Sequence, residues 1–252
     1  MKVAILGAGA AGLLSAQALT GLRIEHDIFD KEVPTISKTK GLHYLHDNCG
    51  LPLNWITVHN YVLGVKEGEM PHLQYSRKLG IPKNNSLIDL PAFNAGYDFR
   101  QAINILVAKH AGNVTVMNVT QEVVPILLEK YDYIINTVPL HVIFPQADCK
   151  MLKRKVMKGR PEGIDKLIGL NPNQVIYNID EQVNWYRYSN VLGNEWTEVV
   201  EGGEFSIPKI IDTDFHSPDE RIILQGRYGK WDRKFLAHHA YYETLRRFST
   251  DG

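Results

Sequence analysis

Gly7, Gly9 and Gly12 stand between a short apolar run, Val3 to Leu6, and a stretch with Ala and Leu at helical spacing, Leu13 to Leu19. Each glycine suits a distinct purpose. Gly7 permits a tight turn, Gly9 lets a pyrophosphate approach the backbone, and Gly12 lets a helix pack closely on a strand. Ala10 and Ala11 complete the turn without adding bulk. Free N–H groups and the positive end of the helix dipole would favour phosphate at that point. A second apolar run, Ile24 to Phe29, ends at Asp30, eighteen residues after Gly12, with Lys31 next to it. A carboxylate there can accept hydrogen bonds from ribose hydroxyls, and an acid in place of an arginine disfavours a 2′-phosphate. The chemistry implied is the binding of a dinucleotide other than NADP, with NAD and FAD not separated by these residues.

Strand, glycine turn and helix must follow one another for this chemistry to work, and the order of the residues predicts them in that order, unlike a secretory leader. Further along, residues 98–110 place Phe99, Ile103, Leu106 and Val107 on one helical face with Asp98 as N-cap. Residues 114–119 and 133–138 read as strands, the second closing in a turn at Pro139, and residues 221–225 as another. Residues 31–94 read as loops with strand-like pieces such as 55–62. An aromatic, alternating section over 183–192 reads as a strand, Gly226-Arg227-Tyr228-Gly229 as a turn, and 235–248 as a helix. The expected architecture is α/β: a discontinuous Rossmann-like lobe over 1–38, 97–145 and 206–252, with a small α+β substrate lobe inserted over 39–96 and 146–205.

Composition narrows the classes. The chain has 252 residues, 44% of them hydrophobic, a globular balance that excludes wholesale disorder. Lys plus Arg and Asp plus Glu are both 28, so no global field draws the chain to nucleic acid or an anionic membrane. Two cysteines, Cys49 and Cys149, make no disulfide framework and point to a reducing cytoplasm. The apolar runs fall far short of the roughly 20 residues that span a bilayer.

Several segments in register resemble one group, the flavoproteins that include amine oxidases, protoporphyrinogen oxidase and UDP-galactopyranose mutase. Gly7 to Gly12 with Ile28 to Lys31 is similar to the FAD fingerprint of that group. Gly41 to Asn48, with His43 and His46, resembles a segment beside the flavin ring in the mutase branch. Gly226 to Trp231 resembles the C-terminal motif of the same branch, where backbone and an arginine meet the cofactor. Tyr131 to Leu140 resembles the strand whose end closes over it. The resemblance implies FAD as the cofactor, held by Gly7, Gly9, Ala10, Ala11, Gly12, Asp30, Lys31, Val119, Thr137, Pro139, Gly226, Arg227, Gly229 and Trp231. The chain departs from the group after Asp30, where Glu32 to Ser37 lacks the usual double glycine, and at Phe235-Leu236, where mutases carry Asp-Met. It is also shorter, so the substrate lobe is expected to be reduced and the flavin face open, or covered in a homodimer.

If FAD carries the redox chemistry, the protein supplies binding, orientation and electrostatics. His43 and His46 are then the candidate catalytic residues, since an imidazole can donate to a flavin oxygen or take a proton near neutral pH; the alternative is a loop histidine bonded to backbone. Tyr186 and Tyr188, alternating within Trp185 to Tyr188, would line a substrate slot or simply pack the sheet. The basic run Lys150, Lys153, Arg154, Lys155, Lys158 and Arg160 would contact phosphates of a nucleotide or nucleic acid, or form a solvated face of a helix or loop. Cys149 beside it is either a reactive thiol or an ordinary buried one. No zinc-type spacing and no G-x-S-x-G elbow occurs, so neither a metal nor a hydrolytic triad is expected. The expected activity is oxidation of a C–N bond in an amine, either a small molecule or one carried on a nucleotide or DNA. Short flavoproteins of this style resemble phage base-modification enzymes. The alternatives are a mutase or transferase using reduced flavin, and a non-catalytic FAD-containing module that binds nucleic acid.

Overall fold

A computed structural model describes residues 1–35, 44–81, 87–164 and 171–249. By compactness the chain divides into two units, the first formed by Met1–Leu53, Phe99–Leu152 and Lys209–Gly252, the second by Asn54–Asp98 and Lys153–Pro208. The elements in chain order are β1 (Lys2–Leu6), α1 (Ala10–Gly21), β2 (Glu25–Asp30), β3 (Tyr44–Leu45), β4 (Trp55–Leu63), α2 (Pro71–Leu79) and β5 (Phe93–Asp98). Then come α3 (Phe99–His110), β6 (Val114–Val116), α4 (Val123–Leu128), β7 (Tyr133–Asn136), α5 (Leu140–Ile143) and β8 (Met151–Lys158). The chain finishes with β9 (Gln174–Asn178), β10 (Trp185–Val191), β11 (Asn194–Val199), β12 (Phe205–Ile210), β13 (Ile222–Leu224), α6 (Gly226–Lys230) and α7 (Ala237–Phe248).

The first unit is built on a parallel sheet in the order β13-β7-β1-β2-β6. The order reverses between β1 and β7, as in doubly wound folds. Val3, Ala4, Ile5 and Leu6 are all fully buried. That explains their unbroken apolar run: a central parallel strand is covered on both faces. Helix α1 buries Leu13, Leu14, Ser15, Ala16, Ala18 and Leu19 and packs against α3 and α7. It is apolar nearly all round because other helices lie over it. Phe99, Ala102, Ile103, Leu106 and His110 form the buried stripe of α3. The helix begins at Phe99, since Asp98 closes strand β5. On the other face of the sheet, Phe29, Val119, Leu127, Leu140, Ile143, Phe144 and Trp231 make one core cluster.

Seven strands of the second unit lie in the order β12-β8-β11-β10-β9-β4-β5. The β4–β9 pair is parallel, and β10 is antiparallel to both of its neighbours. Leu192 and Gly193 join β10 to β11 with both φ angles positive, 53° and 74°, the handedness that matches the strand twist in a two-residue hairpin. Pro71 opens α2 and Gly80 closes it in the left-handed conformation. Tyr75 and Leu79 of α2 pack with Ile179 and Tyr186.

One buried imidazole in the first unit, that of His110, makes its stability depend on acid. His26 donates from Nδ1 to the Ile24 carbonyl at 2.9 Å, and its buried Nε2 has no partner; nor has Nε2 of His110, which is 1% exposed. Burial first, then the neighbouring His26 and Lys109, push His110 down to about 4 from its usual value near 6.5. The unfolded chain therefore binds protons between pH 6.5 and 4 that the folded chain refuses, so stability falls as the pH falls through that window. Thermal unfolding from pH 7 to pH 4.5 should show the wild-type Tm dropping by about 5 °C or more, and His110→Leu dropping less. Equal drops would remove His110 from this role.

Candidate functional site

At the end of β1 the chain turns at Gly7, whose φ of 99° lies in the region that side chains avoid. Its N–H donates to the Phe29 carbonyl at 2.8 Å, tying the turn to β2. The Thr137 hydroxyl, just beyond β7, donates to the Leu6 carbonyl at 2.8 Å. A Cβ on Gly12 would collide with the Gly7 carbonyl oxygen, so only glycine lets α1 start this close to the turn. Gly9 differs. It caps α1 in an extended conformation, and a Cβ built on it meets nothing within 4 Å.

The space over Gly9 faces the start of α1. The first intrahelical bond runs from the Leu13 N–H to the Gly9 carbonyl at 2.9 Å. Helix geometry leaves the N–H groups of Ala10, Ala11 and Gly12 without intrahelical partners, and α1 has no capping side chain and no acid in its first turn. Donors and dipole together suit an anion. Asp30, half-buried at the end of β2, accepts the Ala8 N–H on Oδ2 at 2.6 Å. The acid thus holds the glycine turn as well as standing beside it, a second role that spacing alone does not reveal.

The C-terminal segment reaches the same turn. Residues 226–230 form the short helix α6, not the simple turn expected, because the chain stays helical until Trp231 takes a φ of 54°. A Cβ on Gly226 would lie 2.7 Å from that of Ala11, and one on Gly229 would strike the Asn136 carbonyl, so both glycines serve close packing. Arg227 is half-exposed on α6, Lys31 is exposed, and Pro139 caps α5. Val119 lies in the core cluster. Trp231, expected beside the cofactor, is fully buried; its indole N–H donates to the Lys150 carbonyl at 3.1 Å and its ring meets His141 edge-on. Its side chain is a core group.

His43 lies outside the described residues. His46 lies against Tyr44 and against His238 of α7, with ring centroids 4.8 and 5.6 Å away. Desolvation, then His239, hold His46 below its usual value, and burial with His239 and His46 takes His238 down to about 4. The shifts favour the neutral imidazole and make each a weaker base than a free histidine. Asp47 next to them accepts from the Tyr242 hydroxyl at 2.6 Å. Cys49 is buried and pushed up to about 12 by burial and by Asp47, and burial also raises Cys149. Neither is a reactive thiolate. Among the described residues no group of His, Cys, Asp and Glu is arranged to hold a metal ion, and no helix is long and apolar enough to cross a membrane.

In the second unit the expected alternation of Trp185 to Tyr188 is broken by a bulge at Tyr186, which has no partner opposite it on β11. Trp185 and Tyr188 therefore share one core cluster while Tyr186 joins another. Tyr188 is fully buried, with its hydroxyl donating to Glu195 at 3.0 Å, so it packs the sheet and lines no open slot. The basic run is a strand, not a helix or loop, and alternation divides it. Arg154 turns inward over the Tyr186 ring and donates to its hydroxyl and to the Leu79 carbonyl. Lys150 pairs with Asp148 and Arg160 with Glu195. Lys153 and Lys155 remain exposed on the opposite side from Arg154.

Sequence reasoning misses the groups that lock the first unit around the turn: Ser15, Gln225 and Thr244, all fully buried. Ser15, a buried hydroxyl among the alanines and leucines of α1, gives no sign by itself of the partners it meets.

The first unit has the fold of Rossmann-type dinucleotide-binding proteins, and solved structures carry the likeness over nearly the whole chain. A reduced UDP-galactopyranose mutase matches at a TM-score of 0.55 with 12% identity, covering 97% of this chain and 94% of that one. A Klebsiella pneumoniae HpxO variant complexed with FAD matches at 0.52 with 11% identity, covering 97% and 79%. A geranylgeranyl bacteriochlorophyll reductase-like protein from Thermoplasma acidophilum matches at 0.50 with 9% identity, covering 98% and 76%. At these identities the likeness establishes a shared fold. No family model and no curated protein matches the sequence.

The two glycines of the turn separate by stability. Gly12→Ala forces α1 away from Gly7 and should cost about 3 kcal/mol or more, whereas Gly9→Ala, with open space around it, should leave stability within about 0.5 kcal/mol. Chemical denaturation of both variants checks this, and a stable Gly12→Ala would contradict the packing described.

Proposed function

We propose that the chain is an FAD-dependent oxidoreductase that oxidises a C–N bond of an amine substrate. The observation that carries the cofactor is the open space over Gly9, faced by the free N–H groups at the start of α1 and flanked by Asp30. A pyrophosphate fits that donor set, with Gly7, Gly9, Ala10, Ala11 and Gly12 as its cradle and Asp30 near the ribose. FAD is favoured over NAD by the resemblance of the His46 and Gly226 segments to flavoprotein motifs and by the FAD held in the HpxO variant that shares the fold. Bound FAD would supply the acceptor for a hydride from the substrate carbon, with dioxygen restoring it. Gly226 and Arg227 on α6 would face the cofactor. His46, by its place in the segment that resembles the one beside the flavin ring, would be the group near the substrate that takes the proton an ammonium loses before its carbon is oxidised. Exposed Lys153 and Lys155 would suit a substrate carried on a nucleotide, and their small number favours a local phosphate contact over a long nucleic-acid track.

The likeness to reduced UDP-galactopyranose mutase supports a second reading, activity only after flavin reduction and without net electron flow. One set of measurements divides the two. Purified protein should be yellow and release FAD on heating, and an amine should bleach the flavin anaerobically and yield peroxide in air. Turnover confined to the pre-reduced protein would favour the mutase reading instead. Colourless protein that FAD cannot reconstitute would remove both. Gly9→Ala should weaken FAD binding at least about tenfold while leaving the Tm close to wild type; unchanged affinity would place the pyrophosphate elsewhere.

A further inference from the structure

Gln225 is fully buried between β13 and α6, and its backbone N–H donates to the Asn136 carbonyl at 2.9 Å. One polar atom of its carboxamide lies 2.7 Å from Ser15 Oγ on α1 and 3.0 Å from Thr244 Oγ1 on α7. Each hydroxyl also meets a carbonyl of its own helix: Ser15 Oγ is 3.0 Å from Ala11 O, and Thr244 Oγ1 is 2.7 Å from Ala240 O. A hydroxyl has one proton to give. With an oxygen at the Gln225 position, two protons must serve four contacts, and two short oxygen–oxygen contacts stay empty. The amide nitrogen, meanwhile, is buried with no acceptor. Two defects of that kind in one cluster are costly.

We propose that the carboxamide is turned the other way, so that its NH2 group donates to Ser15 Oγ and Thr244 Oγ1, and that Gln225 is thereby a positioning residue for the cofactor turn. Each of the four contacts then holds one proton, with Ser15 donating to Ala11 O and Thr244 to Ala240 O. What remains is one carbonyl oxygen short of a donor, a lesser defect than an idle NH2 group. The arrangement ties three elements at one point: α1 four residues after Ala11, the middle of α7, and the residue before Gly226. Since Gly226 lies against Ala11, the tie fixes α6 relative to the first turn of α1, where the free N–H groups are. This positioning role rests on the FAD reading; the amide orientation does not.

The orientation is read in the apo protein by isotope-edited NMR. Gln225 Hε2 protons should give cross-peaks to the Thr244 methyl and the Ser15 β protons; an assigned Gln225 side chain without them overturns the orientation. The role is read by FAD titration of Gln225→Leu and of the milder Ser15→Ala. Folded Gln225→Leu should bind FAD roughly tenfold more weakly with an altered visible flavin CD band, and Ser15→Ala roughly threefold more weakly. Folded variants with wild-type Kd and flavin spectrum overturn the positioning role. A wild-type chain that takes up no FAD overturns that role together with the cofactor reading, and the cross-peaks then decide the amide alone.

Discussion

The approach of Gly12 to the Gly7 carbonyl is the constraint on which the first unit is built. It brings the start of α1 down onto the end of β1, where Thr137 just beyond β7 and the Phe29 carbonyl of β2 hold the turn. A side chain at Gly12 would lift the helix, one at Gly7 would strike Thr137, and the consequences of lifting the helix would spread. Gly226 could no longer rest on Ala11, and the buried Gln225 would lose its reach to Ser15 and Thr244. Close packing is therefore what brings the chain's start, middle and end to one place, although they are distant in sequence.

The same constraint limits what the site can bind. Backbone N–H groups at the helix start can donate but not accept, and Asp30, the acid at the turn, already takes the Ala8 N–H on one oxygen. The carboxylate is thereby held at the glycine turn by the Ala8 N–H. Lys31, exposed beyond it, supplies positive charge without a planar fork for a bidentate 2′-phosphate contact. The dinucleotide proposed above is, on this account, one without that phosphate.

Local signals make the first unit readable. The run Val3 to Leu6, the glycine triplet and Asp30 each encode a requirement of the backbone at their own position, so they can be interpreted without knowing the partners. The second unit is less legible because its arrangement depends on pairing at a distance. The bulge at Tyr186 brings together Trp185 and Tyr188, which alternation assigns to opposite faces, and nothing in the four residues announces it. The strand from Met151 to Lys158 is obscured by its lysines. Its inward positions include Arg154, whose guanidinium is accommodated by the Tyr186 ring and the Leu79 carbonyl, so a residue that reads as surface charge is packing material. Trp231 differs in the opposite sense, an aromatic in a segment that resembles a flavoprotein motif, with its own side chain in the core.

Polar residues buried in pairs and triplets are the part of the structure that a one-dimensional reading loses. Ser15 is a poor helix former among leucines and alanines, and Thr244 is a β-branched residue in a polar helix; neither is informative alone. Their meaning appears when Gln225 stands between them, because a buried hydroxyl and a buried amide are tolerable only when their protons can be shared out completely. The requirement is stricter than apolar packing, which accepts many side chains of similar volume. It selects one orientation of one carboxamide, and through it one placement of α6 against α1. The proposed dinucleotide site, assembled from three separate stretches of chain, needs a contact of this directional kind, since hydrophobic burial draws the helices together without deciding where along its axis each one stops.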